Sequence, residues 1–122
     1  MQRFTDLKVW QRSHTLVLQI YRITAKFPPE ERYGLVSQIR RAAVSVPANI
    51  AEGSKRESRT DYARFLNIAE GSLAETHYLL LLCRDLGYLA ADVCESMVTE
   101  LDEIARMLHG LRVKVAGHDG PT

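Results

Sequence analysis

Residues 58–86 read SRTDYARFLNIAEGSLAETHYLLLLCRDL, and their spacing decides the fold. Tyr62, Phe65, Ala69, Ser72, Thr76, Leu79, Cys83 and Leu86 recur at alternating steps of three and four. That interval returns side chains to one face of an α-helix, and Leu66, Leu73 and Leu80 widen the face into a bundle-type stripe. A half-buried strand would alternate at two instead, and no stretch of the chain does so over six residues. Ser58 or Thr60 offers an N-cap, and Gly87 followed by Tyr88 offers a left-handed stop.

The same period extends to both sides. Upstream, residues 6–26 carry two adjacent apolar rows, Leu7, Trp10, His14, Val17, Tyr21 and Val9, Leu16, Ile20, Ile23, Phe27. Thr5 or Asp6 is the expected cap, and Pro28-Pro29 ends the segment because a residue before proline is pushed out of the helical region. Residues 32–52 place Leu35, Ile39, Ala42, Ala43, Val46 and Ile50 on one face, with Pro47 expected to kink the helix and Gly53 expected as its C-terminal cap. Downstream, residues 91–115 run Val93, Met97, Leu101, Ile104, Leu108, Leu111, Val115. Four amphipathic helices joined by short loops predict an all-α, up-down-up-down antiparallel four-helix bundle, one domain over residues 1–116 with a flexible tail at 117–122.

Composition excludes much and assigns little. The chain has 122 residues, 46% hydrophobic, with 16 Lys+Arg against 15 Asp+Glu, which suits one globular domain and lacks the strongly basic balance of a dedicated nucleic-acid binder. Its longest run of leucines is the quartet Leu79–Leu82, and no apolar run approaches the length of a membrane span, so none is expected. The opening MQRFTDLKVWQRS scatters charge and lacks an apolar core, so no secretory signal is expected and the cytoplasm is the expected compartment. Cys83 and Cys94 fall on apolar faces and read as small core residues. A di-iron bundle needs Glu-x-x-His pairs, but three residues before His14, His77, His109 and His118 stand Gln11, Ala74, Arg106 and Val115. His14 reads instead as a packed, hydrogen-bonded core residue. GxGxxG, Walker-type and GxSxG motifs do not occur, so neither an enzyme nor a cofactor nor a metal is expected.

What remains is a surface. Gln38, Arg41, Ser45, Asn49 and Glu52 follow helical spacing and form a polar stripe spanning Pro47. From Glu31 to Arg64 seven basic residues face four acids, a net +3, while Ala90 to Ile104 holds five acids and no base. The candidate binding residues, for phosphates or for a partner, are Gln38, Arg40, Arg41, Ser45, Asn49, Lys55, Arg56, Arg59 and Arg64. The third segment is apolar in every direction around Tyr78–Cys83, more than one bundle core is expected to cover, and Gly71 leaves room for another helix. A homo-oligomer is therefore expected, with Gly71, Tyr78, Leu81 and Leu82 at its interface.

Four blocks carry a family resemblance: FTDLKVWQRS at 4–13, SQIRRAAVSVPANIAEGSKR at 37–56, ARFLNIAEGSLAE at 63–75 and RDLGYL at 84–89. Over residues 4–112 the chain resembles the bacterial four-helix bundle proteins encoded in intervening sequences of large-subunit (23S) rRNA genes, which are similar to the accessory protein of diversity-generating retroelements. The resemblance implies a four-helix bundle, a homopentameric ring or barrel, no established catalytic activity, and a basic surface for RNA or for a nucleic-acid-processing partner. The family's polar block falls here on Gln38, Arg40, Arg41, Ser45, Asn49 and Glu52, and the alternative is a purely protein–protein oligomer without a nucleic-acid role.

Overall fold

Residues 3–117 are described by a computed structural model. Four helices, α1 (Lys8–Thr24), α2 (Leu35–Ser54), α3 (Arg59–Asp85) and α4 (Ala91–Gly117), are accompanied by 3₁₀ turns at Phe4–Asp6 and Pro29–Glu31, and no strand occurs among the described residues. Each helix packs against its sequence neighbour, and α1 closes against α4. Cross-helix contacts run in opposite directions along the chain: Ser45 meets Ser72 while Gly53 meets Phe65. This is the expected antiparallel four-helix bundle.

The core follows the predicted faces closely in α2, where Leu35, Ile39, Ala42, Ala43, Val46 and Ile50 are all buried. In α3 the buried line is Phe65, Leu66, Ala69, Leu73, Thr76, Leu79, Leu80 and Cys83. Leu86, expected on the seam, is exposed, because the helix stops at Asp85 and Gly87 turns the chain away with φ 83°. That stop is a complete Schellman motif: the Tyr88 amide donates to the Cys83 carbonyl at 2.9 Å and the Gly87 amide to the Arg84 carbonyl at 3.0 Å. At the other end the Ser58 hydroxyl accepts from the Asp61 amide at 3.0 Å, the expected cap.

Several expectations are corrected. Leu7, the residue before α1, is extended and provides no side-chain cap, so neither Thr5 nor Asp6 caps the helix; the Phe4–Asp6 turn leads the chain in instead. Helix α2 continues through Pro47 rather than stopping there, as expected, but ends at Ser54, two residues past the predicted end. Gly53 is therefore inside the helix and does not cap it. A Cβ there would stand 2.7 Å from Phe65 Cβ and 3.1 Å from Tyr62 Cδ1, so the missing side chain is what lets α3 pack against α2. His14 is exposed, its ring stacked on Trp10 at 5.2 Å and 9°. The bundle also covers more of the leucine quartet than expected: Leu79 and Leu80 are buried, and Leu81 and Leu82 are half-buried against the core. Helix α4 reaches Gly117, the first residue of the expected tail, and 118–122 lie outside the described residues.

Cys83 and Cys94 are free and buried. Burial pushes the Cys83 thiol up to about 11, which keeps it protonated and inert. Among the described residues no helix is long and apolar enough to cross a membrane, and no group of three or more His, Cys, Asp or Glu is placed to hold a metal ion.

Candidate functional site

The basic residues between 32 and 64 separate into two groups at opposite ends of α2. From Arg40 to Ser54 the helix rises roughly 20 Å at about 1.5 Å per residue, so the predicted patch is not one surface.

The far group surrounds the start of α3. Arg56 and Arg64 lie over the Phe65 ring at 4.7 and 4.6 Å, and each also holds an acid, Arg56 with Glu52 at 2.9 Å and Arg64 with Asp61 at 3.2 Å. Lys55 and Arg59 are exposed nearby in sequence. Here the positive charge is partly spent on closing the bundle end.

The near group is different. A surface groove of about 560 Å³ between α1 and the start of α2 is lined by Tyr21, Arg32, Tyr33, Val36, Ser37, Arg40, Arg41, Val44 and Ser45. Three guanidiniums and two phenol rings share it, and none of the described residues lining it is acidic. Arg40 is fixed. It lies 4.3 Å over the Tyr21 ring, its Nε donates to Thr24 Oγ1 at 2.9 Å, and Nη2 donates to the Tyr21 carbonyl at 3.2 Å. Thr24 is buried and donates its own hydroxyl proton to the Ile20 carbonyl at 2.6 Å, so it is oriented to accept from Arg40. Arg41 is exposed and donates to Ser37 Oγ at 2.7 Å. Beyond Arg32, Val36 and Arg40 the groove continues into a recess of about 250 Å³ at the α1–α2 turn, which shares those three residues.

The polar stripe of α2 is divided by its neighbour. Ser45 and Ser72 share a hydroxyl hydrogen bond of 2.7 Å across the α2–α3 contact, and the Asn49 amide donates to Ser45 Oγ and to its carbonyl. Asn49 is thus tied to Ser45 within α2, Ser45 touches both the groove and α3, and Gln38 and Arg41 stay exposed. The reading from sequence misses Tyr33 and Arg32 as lining residues and assigns Tyr21 to the apolar face, although it is partly exposed. The signal for Tyr33 is present: it is an aromatic residue in a turn, outside every apolar register. Of the expected interface residues, Gly71 faces open space and Tyr78 is 61% exposed.

The family model described as 23S rRNA-intervening sequence protein matches residues 5–110. Among solved structures, one similar to this chain is a protein with unknown function from the S23 ribosomal protein family of Bacteroides thetaiotaomicron VPI-5482, with 28% sequence identity and a TM-score of 0.76, covering 85% of this chain and 97% of that one. No curated protein matches the sequence.

Proposed function

The chain belongs to the 23S rRNA-intervening sequence protein family, and from that premise we propose that it is a non-enzymatic, oligomeric helical-bundle scaffold of the cytoplasm that binds RNA through the groove between α1 and α2. The observation that carries the reading is the lining itself: Arg32, Arg40 and Arg41 beside Tyr21 and Tyr33, with no acid among the described lining residues. Guanidiniums pair with phosphate oxygens, and tyrosines offer hydrogen bonds and ring faces to sugars and bases. A net charge of +1 for the whole chain does not oppose this, because the potential that attracts a polyanion is local.

Assembly is supported by apolar surface that one copy leaves exposed. Ile68, Gly71, Tyr78 and Leu82 fall on one side of α3 by helical spacing, with Leu86 just past its end and the exposed Glu75 among them, and of the apolar members only Leu82 is half-covered. A separate dent of about 360 Å³ is lined by Phe4, Trp10, His14, Val17, Val44, Pro47, Ala48 and Ala51. Two different patches favour a heterologous contact, which closes into rings such as the pentamer expected from the family resemblance.

The test is RNA binding across salt, with light scattering of the same samples. Log affinity against log salt should fall by roughly 0.7 per phosphate contacted on a single strand, and Arg32→Ala and Arg41→Ala should each flatten the slope by about that amount. Retention on RNA no better than that of a charge-matched control protein sinks the reading. An unchanged slope for Arg41→Ala together with a shifted oligomer mass hands the groove to the protein–protein alternative.

A further inference from the structure

Tyr33 is 87% exposed, the highest exposure among the large hydrophobic side chains of the described residues, and no burial in this bundle accounts for it. Its position is nonetheless built. It sits between the Pro29–Glu31 turn and α2, and Glu31 locks that turn from two sides, accepting from the Leu35 amide at 3.2 Å and from the Tyr88 hydroxyl at 2.9 Å. A ring carried by a fixed turn at the rim of a cationic groove offers a face on which a base can stack.

The second tyrosine is already occupied: Arg40 covers the Tyr21 ring and is pinned there by Thr24. Arg40 therefore offers a planar guanidinium of fixed orientation inside the groove, while Arg32 and Arg41 flank it. The continuation of the groove past Arg32 and Arg40 gives a trough longer than one lining group, bounded by the α1–α2 turn. A duplex presents a stiff convex backbone and keeps its bases stacked inside, so it reaches the arginines but not the free ring. An unpaired strand bends into a recess and turns a base onto an aromatic face.

On the RNA-binding reading above, we propose that this groove takes unpaired, single-stranded RNA, with a base stacked on Tyr33 and the adjoining phosphates held by Arg32, Arg40 and Arg41. Tyr33 supplies the preference for unpaired RNA and the arginines supply affinity for any phosphate chain. The two contributions are separable by substitution, since Tyr33 is exposed and its replacement leaves the core intact.

The experiment compares fluorescence anisotropy of a labelled mixed-sequence RNA of about 12 nucleotides with that of its fully paired duplex, using the full chain in low salt. The single strand should bind more tightly. Tyr33→Ala should weaken it by about tenfold while leaving duplex binding unchanged; Tyr33→Phe and Tyr33→Trp, which keep a ring, should retain single-strand affinity. Arg41→Ala should weaken both. Equal binding of both probes with no effect of Tyr33→Ala overturns the single-strand assignment and leaves RNA binding standing. Failure of both probes to bind overturns this assignment and the RNA-binding reading together.

Discussion

Gly53 shows how a single missing side chain sets the distance between two helices. The Cβ that any other residue would carry falls 2.7 Å from Phe65 Cβ, a stiff branch point next to the α3 backbone that has no free rotation with which to move aside. Gly53→Ala is expected to destabilise the bundle by about 1–3 kcal/mol, the usual cost of overpacking. Gly71 is the control: nothing lies within 4 Å of its Cβ direction. In an isolated bundle Gly71→Ala should stabilise by up to about 1 kcal/mol through helix propensity. Urea midpoints with unchanged slopes would read both effects, and a loss on Gly71→Ala would place another helix against that face. Sequence spacing marks both glycines as notable but misassigns Gly53 to a cap. Whether a glycine ends a helix or admits a neighbour depends on the register between helices, which one helix's periodicity does not contain. The same limit applies to His14: its position on an apolar row is legible, but its exposure is not.

Among the elements, α3 is the one read most fully from sequence. Its Ser58 cap, its seam as far as Cys83 and its glycine stop all follow from local chemistry, and each is present. Gly87→Ala should cost about 1–2 kcal/mol, because the left-handed conformation at φ 83° crowds a Cβ. For a chain of this size that corresponds to a fall of roughly 4–8 °C in Tm, followed by circular dichroism. If Tm is unchanged, the Schellman turn is not limiting the stability of that end. Helix α2 was legible in its buried face and only partly in its polar one. Spacing places Gln38, Arg41, Ser45, Asn49 and Glu52 together, but it does not say which edge of that stripe a neighbouring helix covers. Helix α3 takes one side of Ser45 through Ser72, while Asn49 is tied back to Ser45 within α2. The groove was legible still less, since Tyr21, Arg32 and Tyr33 come from α1 and a turn, and only the folded α1–α2 pair brings them beside Arg40 and Arg41.

At the scale of the whole molecule, the near-neutral sequence folds into a bundle whose charges are sorted rather than mixed. The acidic start of α4 is tied to α1 by one pair, Arg12 donating Nη2 to Glu100 Oε1 at 2.7 Å and Nε to Glu100 Oε2 at 2.9 Å, a bidentate geometry. A second cluster links α3 to α4, where Glu70 meets Arg112 and also His109, the latter at 3.3 Å. The hydrogen bonds from Arg12 hold the Glu100 carboxyl below the ordinary carboxylate range. A carboxylate with a depressed folded value stabilises the native state fully above its unfolded value and loses that contribution as pH falls through the folded value. Glu100→Gln removes the titrating group. The variant should therefore be less stable than the wild type near neutrality, with the difference shrinking on acidification until the two converge. Urea midpoints at about pH 7 and about pH 3 measure this. High salt should shrink the neutral-pH difference too, because both partners are partly exposed, with side-chain exposures of 39% and 33%. An equal gap between variant and wild type at both pH values would mean that packing around Glu100, and not its charge, joins α4 to α1.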